Sequence, residues 1–295
     1  MAKSQSDVEY NIRRFDVTRM DRSRSCVFIG GSGTGKSHLM TSIMYANRDI
    51  AGGIVMSGTE EGDPYWRNFI PDTFIYNDWK PDILEQLIEI QKKKKRAVEA
   101  VDQEIEYCRR NGRVADLQRL TQKKHGMAEK MRKFVVLDDL AYKGGLTRND
   151  TIRKLFMNGR HWGILALLSI QYCIALDISL RGNAGYIFIC RESIISYRRK
   201  IYESFVGMVP SFSVFEKLMD ACTQDYECLV VDRTQKSTRV EDVLFWYKAQ
   251  PSYSFRIGDA RLWDYHRTRY DANYEERLAQ QAKAKRARGV INKTS

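Results

Sequence analysis

One octapeptide limits the folds open to this chain more than any other feature. Gly30-Gly31-Ser32-Gly33-Thr34-Gly35-Lys36-Ser37 fits G-x-x-x-x-G-K-[ST], with the apolar run Cys26–Ile29 before it and the amphipathic stretch Leu39–Met44 after it. A strand, a glycine loop and a helix in that order form a phosphate cradle. Glycines accept positive φ, so successive N–H groups can turn inward around phosphate oxygens at a positively polarised helix start. Lys36 then neutralises the β and γ phosphates, Ser37 offers a hydroxyl to Mg²⁺, and His38, next in sequence, is grouped with the nucleotide contacts. The competing reading is an ordinary glycine turn beside a surface lysine.

About a hundred residues later an apolar strand ends in two acids, Phe134-Val135-Val136-Leu137-Asp138-Asp139. A carboxylate at the tip of a strand near the loop can hold the Mg²⁺ water shell, the role assigned to Asp138. Adjacent residues at a strand end point different ways, which leaves Asp139 to orient or deprotonate an attacking water, or merely to cap the next turn. Short Val/Ile/Leu/Phe runs at 25–30, 53–57, 134–138, 163–170 and 185–190 alternate with helical segments. The pattern predicts an α/β P-loop NTPase fold with a mainly parallel sheet and helices on both faces. The order suits the RecA-like (ASCE) branch, in which a further strand separates the acid strand from the P-loop strand. Gln171, at the carboxyl end of the 163–170 strand, is placed to sense the γ phosphate or the water. A loop-tip glutamine bonded to backbone is its plainer reading.

The rest of the chain gives elaborations. With 295 residues, 43% of them hydrophobic, there is enough for one large core, and a formal charge of +12 favours nucleic acid among anionic partners. The longest apolar run, 163–170, is too short to cross a bilayer, and Met1–Asp7 lacks an apolar signal core, so the expected location is intracellular. Six scattered cysteines read as buried thiols, and four dispersed histidines (38, 125, 161 and 266) suggest neither zinc nor a hydrolytic triad. From Pro81 to Arg110 the apolar positions recur at three and four, Asn111-Gly112 reads as a turn, and 113–133 returns, which predicts an inserted helical hairpin. Its basic run Lys92–Arg96 is compatible with a solvated face, with DNA phosphates or with a neighbouring subunit. Helices over 194–206 and 211–221 precede two strands, 227–232 and 243–247, joined by a hairpin turn at 233–237. The expected divisions are an arm at 1–24, an ATPase core at 25–250 with the insertion at about 81–133, and a tail at 251–295. The run from Gln280 to Arg288 reads as a frayed helix, a DNA arm or a nuclear-import signal.

The ordered set of motifs carries a resemblance. The P-loop, Val55–Glu61, Leu137-Asp138-Asp139, Asn158–His161, Ser169–Tyr172, Arg181-Gly182-Asn183 and Tyr226–Asp232 resemble the poxvirus-like genome-packaging ATPases of nucleocytoplasmic large DNA viruses, in the FtsK-HerA superfamily. The resemblance spans about 25–250. It implies a homo-oligomeric ring, a pentamer or hexamer, that uses ATP and Mg²⁺ to pump double-stranded viral DNA into a capsid or internal membrane compartment. It also implies capsid or internal-membrane partners and a location in cytoplasmic factories, the nucleus or the virion. In such rings an arginine from the neighbouring subunit stabilises the transferred phosphoryl group, and Arg160, then Arg181, are the matching candidates. Asp139 departs from the glutamate most related motors carry, and the basic hairpin has no counterpart in the pattern. Two alternatives stay open: a nucleotide-gated DNA-binding or capsid-assembly scaffold, and a nucleotide kinase, which the paired acids and the basicity disfavour.

Overall fold

The computed structural model describes residues 9–60, 62–140, 145–271, 273, 274, 277 and 280. Met1–Asp7, Glu61 and the basic run from Gln281 to Arg288 lie outside the described residues. In chain order the strands are β1 Arg13–Arg14, β2 Cys26–Ile29, β3 Gly53–Ser57, β4 Ile75–Tyr76, β5 Lys133–Asp138, β6 Ile164–Ile170, β7 Tyr186–Ile189, β8 Cys228–Asp232 and β9 Leu244–Tyr247. The α-helices among the described residues are α1 Lys36–Ala46, α2 Pro81–Arg110, α3 Val114–Met131, α4 Asp150–Asn158, α5 Ile178–Asn183, α6 Ile195–Phe205, α7 Phe212–Cys222, α8 Val240–Val243 and α9 Ala260–Arg269.

All the strands join one sheet in the order β1-β9-β8-β7-β2-β6-β5-β3-β4. Only β8 runs antiparallel to its neighbours. The P-loop strand β2 sits in the middle, and β6 lies between it and the acid strand β5. This is the predicted RecA-like order.

The strands read as continuous apolar runs because both faces are covered. One side of β2, β5 and β6, with Phe28, Val136 and Leu167, packs against Leu39, Met40, Ile43 and Met44 of α1. The opposite side, with Val27, Ile29, Val135 and Leu168, packs against α4, α6 and α7 through Leu155, Phe205 and Phe215. Each such side chain contributes about 1.5–3 kcal/mol on burial. Phe28 and Phe188 oppose one another on β2 and β7 with ring centroids 4.7 Å apart and 12° between planes. Such a pair adds about 0.5–1.5 kcal/mol beyond area.

The connection from β8 to β9 corrects one expectation. The pair is antiparallel, but no tight turn closes it at 233–237; the chain takes a wide path through 233–239 and then α8. The Asp232 carboxylate captures Thr234 N at 2.9 Å, Thr234 Oγ1 at 2.6 Å and Gln235 Nε2 at 2.8 Å, so side chains replace turn geometry. The short edge strands β1 and β4 had no sequence signal: Arg13-Arg14 carries no apolar alternation, and two residues are too few to show a period.

The insertion forms the antiparallel pair α2 and α3, turning at Gly112 with φ +66°. Val101, Ile105, Cys108 and Leu120 give it a small core of its own. Gln91 is fully buried at its base and donates through Nε2 to the carbonyls of Met131 and Trp162, at 2.5 and 2.8 Å. At 100° per residue, the Lys92–Arg96 run does not form one face. Lys92 pairs with Glu89, Lys95 pairs with Glu99, and Lys94 turns toward α3. No helix among the described residues is long and apolar enough to cross a membrane. All six cysteines are free and buried. Burial pushes the thiols of Cys190 and Cys222 up to about 11.

Candidate nucleotide site

The loop after β2 has the shape its glycines permit. Gly33 and Gly35 hold φ +74° and +87°, where a side chain would be strained, and Gly35 leads straight into α1. At Gly30 the reason is space: a Cβ would come within 2.6 Å of Thr34 Oγ1 and 2.7 Å of Cys190 Cβ. Thr34 Oγ1 donates to the Gly31 carbonyl at 2.8 Å, and the nearly buried Lys36 ammonium donates to the same oxygen at 2.9 Å. The first amides of α1 have no intrahelical acceptor. Polarised amides at such a helix start can cradle phosphate.

Three strand ends bring the rest of the site together. Ser37 Oγ donates to Asp138 Oδ2 at 2.8 Å, joining the motifs across 101 residues of sequence. The Trp66 indole donates to the same oxygen at 3.0 Å, and Ser169 Oγ donates to Asp138 Oδ1 at 2.7 Å. A carboxylate offers about four lone-pair sites, so these donors fix its orientation and leave one for a further donor such as a metal-bound water. Asp138 is 2% exposed, and each donor offsets the desolvation of a charge that would be costly to bury alone.

Asp139 takes φ +49°, a left-handed conformation that costs a residue with a side chain about 1–2 kcal/mol. Its amide donates to Ser169 Oγ at 2.8 Å, which holds the bend, and Gln171 Nε2 donates to Asp139 Oδ1 at 2.9 Å. Consecutive acids are thereby separated. Asp138 faces Ser37 and the loop, while Asp139 turns toward the end of β6 and stays partly open.

The segment after β3 braces this arrangement. Glu60, 1% exposed, accepts the amides of Tyr65, Trp66 and Arg67 at 3.0–3.1 Å and so fixes the turn that aims the Trp66 indole. Tyr65 Oη lies 2.8 Å from Thr41 Oγ1, and Thr41 Oγ1 donates to the Ser37 carbonyl at 2.9 Å. Burial pushes the Tyr65 phenol up, which keeps its hydroxyl protonated. Trp66 and Ser169 were missed from sequence. Ser169 left a trace, a lone polar residue inside an apolar strand; Trp66 left none.

Beside the loop lies a cleft of about 860 Å³ lined by Gly35, His38, Leu39, Tyr226, Trp246 and Pro251. Asp225 and Tyr226 both take positive φ, 46° and 63°, and the Tyr226 ring would stand 3.4 Å from a Cβ at Gly35. His38 belongs to this wall. Its Nε2 meets the Gln250 carbonyl and its ring lies 5.4 Å from Tyr253.

Arg160 and Arg181 are not brought to the loop of their own chain. They precede β6 and β7, at the opposite end of parallel strands from the P-loop. Arg181 donates to the Leu176 carbonyl at 2.8 Å and to Ser204 Oγ at 3.0 Å, whereas Arg160 is exposed and contacts His161 at 3.2 Å. Among the described residues no cluster of three His, Cys, Asp or Glu forms a metal cage. A cation bound mostly by water and phosphate needs only Ser37 and Asp138, and those fit.

Strand order and loop geometry define a RecA-like P-loop NTPase fold. No family model matches the sequence. An uncharacterised protein of Acanthamoeba polyphaga mimivirus is 27% identical over 267 residues, 90% of this chain and 86% of that protein. Uncharacterised proteins of Frog virus 3 (29% identical; 81% of this chain, 66% of that one) and Invertebrate iridescent virus 6 (26%; 91% and 98%) are also similar. These relatives come from nucleocytoplasmic large DNA viruses, the group to which the motif set points. Among solved structures, the genome packaging NTPase of Sulfolobus turreted icosahedral virus 2 with AMPPCP superposes with a TM-score of 0.47 at 15% identity, covering 78% of this chain and 100% of that one. The DNA-packaging ATPase of Sulfolobus turreted icosahedral virus gives 0.49 at 14%, covering 78% and 100%. The fold assignment rests on this chain's own strand order and loop, not on those scores.

Proposed function

We propose that this chain is an Mg²⁺-dependent ATPase that drives double-stranded viral DNA into a capsid, working as a homo-oligomeric ring. The observation that carries the hydrolysis is the continuous path Ser37–Asp138–Ser169–Asp139–Gln171 across β2, β5 and β6. It joins the phosphate loop to a second, separately oriented acid, which a binding-only switch does not need.

Lys36 and the loop amides hold the phosphates, and the Tyr226–Trp246 cleft takes the nucleoside. Ser37 and Asp138 hold Mg²⁺, which draws charge from the phosphate oxygens when bound. Asp139 orients the attacking water and accepts its proton. Gln171, bonded to Asp139, links the γ-phosphate state to the loop after β6. From the far end of the sheet Arg160 reaches only a neighbour's nucleotide, and its exposed guanidinium is freer for that than the engaged Arg181. The DNA load is supported by the motif resemblance, the virus sources of the relatives and the +12 charge. Capsid or internal-membrane partners and location in viral factories, nucleus or virion follow from the same reading.

Phosphate release by the purified chain, with and without duplex DNA at low salt, tests the motor. Stimulation by DNA and its loss in Asp139→Asn are expected. Slow hydrolysis indifferent to DNA would favour a nucleotide-gated scaffold. Mixing Arg160→Ala with Asp139→Asn subunits tests the arginine: recovered turnover supports action in trans, and none counts against it.

A further inference from the structure

The inserted hairpin is electrically divided. Outside the α2–α3 groove, cations are matched in pairs: Arg109 and Arg110 with Glu106 and Arg113 with Asp116 at the tip, and Lys92 with Glu89, Lys95 with Glu99 and Lys124 with Asp102 farther in. Nearer the body, α2 and α3 flank an open groove of about 560 Å³ lined by Lys94, Val98, Arg119, Lys123, Met127 and Lys130. No acidic side chain lines it among the described residues. Among the described residues, Arg119 alone of its cations pairs with an acid in this hairpin, Asp116 at 3.3 Å, from the groove's outer end.

The α3 members 119, 123, 127 and 130 fall on one helical stripe, so they face the groove together. Arg119 to Lys130 spans about 16 Å at 1.5 Å per residue. That equals about five base steps at 3.4 Å per strand. At the inner end the charge is crowded. Burial and the nearby Arg261 push the Lys94 ammonium below the usual lysine range, and burial together with Lys94 does the same to Lys133. Asp259, the acid nearby, is committed to Arg261 at 2.7 Å and to the amide of Leu262 at 3.1 Å. Cations held close against repulsion gain when an anion arrives. The groove is open along its length and its charges repeat, which suits a polymer of phosphates better than one small anion.

We propose that the α2–α3 groove grips the phosphate backbone of duplex DNA, giving the hairpin the part of DNA holder in the motor proposed above. Base edges are not read there, because a line of lysines positions a backbone without specifying sequence. The groove rests on the DNA-motor reading, and the test separates the two.

The test uses the full chain carrying Lys94→Gln, Lys123→Gln and Lys130→Gln together, changes that keep helix propensity. Fluorescence anisotropy with a labelled 30-base-pair duplex is measured over a salt series, with melting temperature as the folding control. The log-log salt slope is expected to fall by about 2–3, at about 0.9 for each phosphate no longer neutralised, with weaker affinity for every duplex sequence. ATP hydrolysis without DNA stays unchanged. The tip variant Arg109→Gln/Arg110→Gln is expected to bind like the unmodified chain. If the unmodified chain binds duplex and the triple variant matches it in affinity and slope, the groove proposal falls while the motor stands. If the unmodified chain hydrolyses ATP but binds no duplex at low salt, the DNA reading falls and the groove with it. Displacement of duplex by millimolar inorganic phosphate marks a small-anion site and overturns the proposal.

Discussion

The carboxyl end of the sheet and the α2–α3 hairpin use polar residues in opposite ways. At the sheet, Asp138, Ser169 and Glu60 are almost wholly buried, and each is oriented by donors or acceptors from another segment. Along the hairpin, charged side chains are mostly exposed, and most of their partners lie three or four residues away on the same helix. The first arrangement depends on angles and sub-ångström placement; the second depends on the amount of charge and its sign. Substitutions should therefore act locally and steeply in one region and gradually in the other.

The largest expected effect is at Asp139. Asp139→Asn should lower kcat by about 10²–10⁴, the usual contribution of a general base, while labelled nucleotide still binds. Turnover near the unmodified rate would return Asp139 to a capping role. Next comes the hairpin core: Leu120→Ala should destabilise α2 and α3 by about 2 kcal/mol, read as faster hydrogen exchange confined to residues 97–127. A parallel loss of ATPase activity in that variant would show that the two regions are coupled.

Trp66→Phe keeps an aromatic filling and removes one donor from Asp138. We expect about a tenfold fall in kcat, or about 1.4 kcal/mol, a higher Mg²⁺ requirement and little change in melting temperature. An unchanged Mg²⁺ requirement would mean that Ser37 and Ser169 suffice to orient the carboxylate. The smallest effect belongs to the hairpin surface. Lys124→Ala, which breaks the pair with Asp102, should cost less than about 1 kcal/mol in thermal stability. A larger loss would show that this pair supports the hairpin core.

The P-loop was readable because local geometry creates it: glycine spacing, a following helix and a preceding strand all lie within a dozen residues. The seven longer strands were readable because burial on both faces writes unbroken apolar runs, and the strand set between the acid strand and the P-loop strand followed from the RecA-like order. The hairpin was readable from its helical period and the Asn111-Gly112 turn. The wide β8–β9 connection was not, because the Asp232 side chain closes a loop where backbone turn signals pointed to a short one. Arg160 and Arg181 were legible as motif residues, but their place at the far end of the sheet depends on strand direction.

By itself, the sequence determined that a glycine loop of the phosphate-cradle type joins a strand to a helix, that two adjacent acids end a strand and that a basic helical pair is inserted. Those properties reside in short segments whose conformation is set by nearest neighbours. Tertiary structure alone decided which groups act on which acid. It brought Trp66 and Ser169 to Asp138, turned Asp139 away through a left-handed bend, carried His38 to the wall of the cleft beside the loop and gathered Lys94, Lys123 and Lys130 into one groove. Such contacts join residues tens to over a hundred positions apart. They are fixed by parallel strand pairing and helix packing, which no local pattern encodes.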